Sequence, residues 1–293
     1  MDLSIIIVSW RVKDLLKKCL ESVYNESPNL DFEVFVVDNA SGDGTVEMIK
    51  KEFSSVNLII NKENFGFAKA NNQAIRKAKG EFILLLNPDT EILDQAIEKA
   101  VRYMKDNEKV GIVGGRLYNP DLSPQPSVRG FPTFWSMFMI MLKLHHLFSQ
   151  AKVLTKYLVS DFDYDREQEV DQIMGAFFML RAELFKKIGL LNEHFFIWFE
   201  EVDFCKRVKE LGYKIVYLPK CKVIHHFAQS FKQVMKVRNQ EIFNRSLLYY
   251  FRKNKPFLEY LGLLLIYPIS LFLAALIQIF SVNGFKKGSK YAV

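Results

Sequence analysis

Up to Leu117 the chain alternates short, almost wholly apolar runs with segments whose apolar residues recur at helical spacing. The runs are LSIIIVS (3–9), FEVFVVD (32–38), VNLIIN (56–61), EFILLLN (81–87) and VGIVGGRL (110–117). Helical patterns lie near Lys13 to Tyr24, Thr45 to Phe53, Ala68 to Lys79 and Asp94 to Asp106. Strands without a polar face must be covered on both sides, and strands separated by helices pair in parallel. The pattern therefore predicts an α/β fold with a Rossmann-like, mostly parallel sheet and flanking helices. Ligands of such sheets bind at the C-terminal ends of the strands. The residues there are Ser9-Trp10-Arg11, Asp38-Asn39, Asn61 to Asn64 and Asn87-Pro88-Asp89.

The alternation stops between Tyr118 and Glu169, where a Pro/Ser-rich loop, NPDLSPQPSVRGFP, precedes a Met-rich apolar stretch from Thr133 to Phe148. That stretch is apolar on nearly all sides, which suits either a core helix or a cover that touches lipid. Strand-like runs then return as DQIMGAFFML (171–180), KIVYLP (214–219) and CKVIHHF (221–227), with helices expected at Ala182 to Ile188 and after FFIWF (195–199). A basic amphipathic helix is expected from Gln229 to Lys253. This divides the chain into a domain at 1–228, with a nucleotide-binding half (1–117) and an acceptor half (118–228), and a membrane-attachment segment at 229–293.

Composition sharpens the last assignment. The net charge is +7, yet Lys220 to Val293 holds 12 Lys/Arg against 2 Glu, so the basic character belongs to the most apolar quarter of the chain. Basic plus apolar points to anionic membrane lipids, and the chain has no nucleic-acid recognition motif. From Tyr260 to Phe285, 26 residues carry no charge. As a straight helix they would reach roughly 39 Å, enough to cross a bilayer core. Lysines and arginines flank both ends, and a single crossing would export Lys286, Lys287 and Lys290 against the positive-inside rule, while Pro268 interrupts the middle. The expectation is a kinked, re-entrant or in-plane helix on the cytoplasmic face of the cell membrane, with a single span as the close alternative. Three cysteines, Cys19, Cys205 and Cys221, without metal-ligand spacing fit a reducing compartment.

Several side chains carry candidate chemistry. Glu200, Glu201 and Asp203 follow an aromatic wall; burial there raises carboxylate pKa values and suits a general base, while acids at a helix start and an Asp203–Arg207 pair are the structural alternative. Asp89 ends a buried strand after Pro88, placed to hold a divalent cation against a pyrophosphate, or to make a turn. Asp38 is placed to accept hydrogen bonds from a ribose or base, with Ser41 and Asp43 equally able to cap the next helix. Gly66 permits close backbone approach, and the helix after it offers N–H groups to an anion; a capped helix explains Asn64 but not the surplus Asn71-Asn72. His225 and His226 end the last strand, where an imidazole beside Asp89 would favour Mn²⁺. Neither a dinucleotide fingerprint nor a Walker loop is present.

In order along the chain, IIIVSW, VVDNASGDGT, NKENFGFAKANNQAI, LLLNPDT, QPSVRGFPT, GAFFMLRAELFKKIGLLNEHFFIWFEEVDFCKRV and HHFAQS resemble the inverting, nucleotide-sugar-dependent glycosyltransferases of family 2, and within them the bacterial rhamnosyltransferase-like branch. The resemblance runs from Ser4 to about Ser230 and implies the GT-A fold. It implies that Ser9, Trp10, Asp38, Ser41, Asn64, Gly66, Asn71 and Gly175 line the nucleotide and donor sugar. Asp89 and His225 would serve a Mn²⁺ or Mg²⁺ ion, Glu201 would be the catalytic base supported by Glu200, Asp203 and Arg207, and Arg129 and Trp198 would lie on the acceptor side. Trp10-Arg11 stands where many relatives have Tyr-Asn, Glu201 where Asp is usual, and Ala228 where Gly is common.

The implied reaction is transfer of a sugar, with rhamnose the one the branch suggests, from a nucleoside-diphosphate donor to a hydroxyl of a lipid-linked or polysaccharide acceptor in bacterial surface-glycan synthesis. Two alternatives stay open. One is transfer directly onto polyprenyl phosphate; the other is a non-catalytic sugar-nucleotide-binding scaffold at the membrane.

Overall fold

A computed structural model of the protein describes residues 1–227, 229 and 233–282. Ala228 and Ser230 of the HHFAQS motif, and Lys286, Lys287 and Lys290 beyond the apolar segment, lie outside the described residues. Four parallel strands, β1 (Leu3–Ser9), β2 (Phe32–Asp38), β3 (Asn57–Ile60) and β4 (Phe82–Leu86), form one half of the main sheet in the order β3-β2-β1-β4. Between them run α1 (Lys13–Asn25), α2 (Thr45–Glu52) and α3 (Phe67–Ile75). Alternate residues of β1 enter different cores: Leu3, Ile5 and Ile7 pack with α1 and α2, whereas Ile6 and Val8 pack with α3. Two-sided burial is why these strands carry no polar face.

Beyond β4 the chain makes β5 (Thr90–Leu93), α4 (Ala96–Asp106), β6 (Val110–Tyr118), and the short β7 (Pro124–Gln125) and β8 (Val128–Arg129). Next come α5 (Phe134–Met141), α6 (Lys152–Leu158), β9 (Gln168–Glu169), β10 (Gln172–Ile173), β11 (Phe177–Arg181), α7 (Glu183–Ile188), α8 (Glu200–Glu210) and β12 (Lys214–His225). The sheet continues β4-β11-β6-β12-β5, with β11 antiparallel to both neighbours and β5 antiparallel to β12.

Several expectations are corrected here. DQIMGAFFML is not one strand: β10 pairs with β8 in a separate two-stranded sheet, and only Phe177–Arg181 joins the main one. KIVYLP and CKVIHHF are one strand, whose register against β6 shifts between Leu218 and Lys222, so that an irregularity absorbs Pro219. The stretch from Thr133 is α-helical only to Met141; a reciprocal Thr133–Ser136 capping box starts the helix, and left-handed Lys143 (φ 58°) turns the chain into a short 3-10 helix at Leu144–His146. The helix expected near Asp94 to Asp106 is α4, and β5, which was not expected, precedes it.

The basic helix is α9 (Lys236–Asn254), and it is followed directly by α10 (Phe257–Val282), which continues through Pro268. α10 runs back along α9: Val237 N–H donates to Gln278 Oε1 at 3.2 Å, and Asn244 Nδ2 donates to Ser270 Oγ at 3.1 Å. Leu263 of α10 is fully buried in a third core, with Met137, Met141, Phe195, Phe199, Val202 and Tyr250. The helix bearing the acidic motif therefore shares its packing with the apolar C-terminal helix.

Candidate active site

β1 and β2 run in register with Ser9 opposite Asp38, so their side chains emerge together at the C-terminal edge of the sheet. Ser9 Oγ and Asp38 Oδ1 are buried and have no hydrogen-bond partner within the protein. Buried polar atoms are costly unless paired, so two orphans side by side mark where polar groups of a ligand belong. The other oxygen, Asp38 Oδ2, accepts the Ser41 N–H at 3.3 Å, and Ser41 Oγ accepts the Arg11 N–H at 3.0 Å, locking the two strand-end turns together. The Arg11 guanidinium lies 5.2 Å from the Trp10 ring centre. Asp43 is structural: Oδ1 accepts from Thr45 and Oδ2 accepts the Lys13 N–H at 3.1 Å, serving the starts of α2 and α1.

In the amide-rich segment, Asn64 Oδ1 accepts the Gly66 N–H at 2.9 Å and shapes the turn. Asn72 binds both the N–H and the carbonyl of Leu191, which accounts for one of the surplus amides as a strut between α3 and the loop before α8. Asn71 keeps a buried, unpartnered Oδ1. Gly66 makes the close backbone approach expected of it. It has φ 79°, a Cβ there would stand 2.3 Å from the Phe196 carbonyl oxygen, and that oxygen accepts the Phe67 N–H at 2.6 Å. The close backbone approach is to the protein itself, and the leading N–H of α3 is already used. Asn39, a strand-end residue with no role assigned from sequence, donates to the Gly66 carbonyl at 3.2 Å and accepts from Asn61 at 2.8 Å.

Asp89 and His225 come from adjacent antiparallel strands' ends and meet, with Nε2 3.4 Å from Asp89 Oδ1. Burial alone would raise the Asp89 pKa, but the His225 imidazole in its protonated form, together with main-chain donors at Gln229 and Asp89 itself, offsets this and holds the carboxylate below its usual range. His226 instead pairs with Glu91 at 2.6 Å, outside this contact. Among the described residues no cluster of three His, Cys, Asp or Glu side chains surrounds a metal-sized site. One carboxylate and one imidazole, converging at the sheet edge, fit an ion that takes its remaining ligands from a diphosphate and water. Gly175, between β10 and β11, has open space where a Cβ would lie.

Glu200 and Glu201 occupy the first turn of α8, entered through two successive left-handed residues, Trp198 (φ 65°) and Phe199 (φ 69°). Glu200 is buried, Glu201 is partly exposed, and each has an Oε2 without a partner. Burial and the neighbouring Glu201 push the Glu200 pKa well up; burial also raises that of Glu201, less so because the Glu200 carboxyl hydrogen-bonds to it. Of the two, Glu200 is the more strongly favoured in its protonated form and Glu201 the more readily ionised. Asp203 is structural in its contacts, fully buried and bonded to Arg207 Nε at 3.0 Å and Lys253 Nζ at 2.6 Å, while Arg207 also donates to the carbonyls of Ile188 and Leu190.

Tyr157 of α6 is a neighbour that the sequence did not reveal: half-buried against the core around Phe199, with its pKa pushed up to about 12 by desolvation, it feels the charges of both Arg129 and Glu201. Arg129 Nη1 donates to its own neighbour's carbonyl, Val128, at 2.7 Å. The Trp198 ring packs edge-on against Phe243 of α9, 6.0 Å between centres. Two open clefts of about 660 and 850 Å³ lie elsewhere, around Val110 and Lys214 and around Gly80 and Arg181, at the N-terminal edge of the sheet, and contain none of these residues.

A mostly parallel sheet with β11 inserted antiparallel and helices on both faces is the GT-A fold of glycosyltransferases. Residues 4–189 match the model of glycosyl transferase family 2, and the chain belongs to that family. It is 26% identical over 212 residues, 67% of each chain, to an N-acetylglucosaminyl-diphospho-decaprenol L-rhamnosyltransferase of Mycobacterium tuberculosis. It is 25% identical over 231 residues, covering 76% of this chain and 82% of the relative, to the rhamnosyltransferase WbbL of Escherichia coli. Among solved structures, a mannosyltransferase of Pyrobaculum calidifontis in complex with GDP-Man and Mn²⁺ aligns over 97% of this chain and 76% of its own, with TM-score 0.58 and 17% identity. The S. aureus TarS structure aligns over 87% of this chain and 73% of its own, with TM-score 0.52 and 17% identity.

Proposed function

We propose that this glycosyltransferase moves a sugar, rhamnose by analogy with its relatives, from a nucleoside-diphosphate donor to a hydroxyl of a lipid-linked glycan, with inversion. The observation that carries the lipid-linked acceptor is packing: Phe199 and Val202, on either side of the Glu200–Glu201 pair, share a core with Leu263 of α10. The carboxylate pair is thereby held close to the most apolar exposed surface of the molecule. Ser9 and Asp38 would receive the nucleoside through their unpaired oxygens. Asp89 and His225 would hold a divalent cation, which when bound neutralises the charge of the departing diphosphate. Glu201 accepts the proton of the acceptor hydroxyl as that oxygen attacks the anomeric carbon, and Glu200 stays protonated beside it.

The same packing supports an in-plane attachment. α10 has a length and mean hydropathy (2.4) sufficient for a membrane span, with 17% of that stretch buried. Leu258, Leu261, Leu265, Ile269 and Phe272, spaced to one side of the helix, are exposed. But α9 lies alongside it with Arg238, Arg245 and Arg252 exposed, and a perpendicular crossing would draw these charges into hydrocarbon at several kcal/mol each. An in-plane α10 keeps them at the headgroups of the cytoplasmic leaflet, where anionic lipids favour them.

The reading is tested with purified full-length protein, Mn²⁺ or Mg²⁺, and a panel of nucleotide sugars including dTDP-rhamnose, with N-acetylglucosaminyl-diphospho-polyprenol as acceptor. Transfer to the lipid is expected. Binding of a nucleotide sugar with no transfer to lipid, protein or water would overturn it in favour of a scaffold.

A further inference from the structure

The QPSVRGFPT loop contains a buried amide that no step above uses. Gln125 is 6% exposed and reaches His225 from the side opposite Asp89. Its Nε2 lies 2.7 Å from Asn119 Oδ1 and 3.2 Å from the main-chain carbonyl oxygen of His225 itself. Its Oε1 lies 2.7 Å from His225 Nδ1. A main-chain carbonyl can only accept, so the amide orientation is fixed, and its oxygen faces the ring. Nδ1 must then carry the hydrogen, and in the neutral imidazole Nε2 is left with its lone pair. Asn87 agrees: its Nδ2, which can only donate, faces Nε2 at 3.3 Å, on the side where Asp89 also lies.

We propose that Gln125 is a positioning residue for the cation site: by accepting from Nδ1 it fixes the His225 tautomer and ring plane so that the Nε2 lone pair points to the ion shared with Asp89. An imidazole ligand is generally oriented in this manner by an acceptor on its other nitrogen, and loss of that acceptor weakens metal binding by about 10–100-fold. Here the acceptor comes from β7, the short strand paired with β6, and Asn119 holds it in turn. The cation site thus depends on a segment remote in sequence from both ligands. The inference rests on the Asp89–His225 reading of the cation site.

Mn²⁺ affinity of the full-length protein, measured by the loss of the free-ion paramagnetic resonance signal with and without dTDP, UDP or GDP, separates the two. His225→Ala weakening Mn²⁺ binding supports the site, and Gln125→Leu should then weaken it about tenfold or more while the double variant is no worse than His225→Ala alone. Gln125→Glu, which retains the acceptor, should bind Mn²⁺ within about threefold of the parent. Thermal melts identify any variant that fails to fold, and the Glu variant then decides. If His225→Ala weakens binding but Gln125→Leu does not, or if the Gln125 loss persists undiminished in the His225→Ala background, the positioning role is wrong and the site stands. If His225→Ala leaves Mn²⁺ binding unchanged, both fall.

Discussion

Lys253 Nζ sits 2.6 Å from Asp203 Oδ1, joining the first turn of the acidic helix to the last turn of α9 across 50 residues of chain. Asp203 is fully buried and Arg207 occupies its other oxygen at 3.0 Å, so α8 is clamped from its own helix and from α9. Breaking a buried charge cluster leaves uncompensated partners. Asp203→Asn should therefore cost about 3 kcal/mol in denaturant unfolding. Lys253→Met should cost about 1 kcal/mol or less, because Lys253 is partly exposed and Arg207 and Asn254 remain. Equal losses would show that the clamp does not depend on Asp203.

Glu201→Gln should preserve nucleotide-sugar binding and lower transfer by about two orders of magnitude or more. Glu200→Gln, which still donates to Glu201, should stay within about tenfold of the parent. If Glu200→Gln is the inactive variant, the base is one residue earlier. Sustained transfer in Glu201→Gln points to a phosphate acceptor, which needs no deprotonation.

The same pair gives a pH signature in stability. The folded-state pKa of Glu200 lies above its ordinary value near 4.5, so between the two the folded protein binds more protons than the unfolded chain, and stability falls as pH rises. Glu200→Gln removes that loss. Its melting temperature should exceed the parent's at pH 8, and the advantage should vanish below about pH 4.5. A constant difference across pH would mean that Glu200 does not titrate abnormally.

Asp38→Asn exchanges a carboxylate for an amide at the buried strand edge. Nucleoside-diphosphate affinity in calorimetry should fall about tenfold or more, the scale of a hydrogen bond to a charged group. Unchanged affinity would place the nucleoside elsewhere.

Gly66→Ala combines a left-handed φ with a Cβ 2.3 Å from a main-chain oxygen, so the loop before α8 must move. A loss of at least about 2 kcal/mol is expected. Donor binding and transfer should fall together, because the Phe67–Phe196 hydrogen bond links the two halves of the site.

Leu261, Leu265 and Phe272 changed together to Gln should abolish flotation with vesicles containing anionic phospholipid and leave the fold intact, since these side chains face outward. Persistent flotation would move the attachment surface to another face. Removing α10 entirely is a different experiment, because it strips buried Leu263 from the core around Phe199.

The apolar runs through Leu117 determined β1 to β4 and β6, and with them the parallel half of the sheet, because two-sided burial and helical crossovers leave a direct mark on residue pattern; the short β5 left none. The sequence likewise placed Asp38 and Asp89 at strand ends and the acidic cluster at a helix start, since each depends on local neighbours. It could not show that β11 enters antiparallel between β4 and β6, or that DQIMGAFFML divides between two sheets, as pairing partners lie tens of residues away and strand propensity has no direction. Nor could it separate Glu200 from Glu201, or identify Gln125, Tyr157 and Lys253 as neighbours of the site. Those roles come from burial, orphaned oxygens and fixed amide orientation, which exist only once remote segments have packed together.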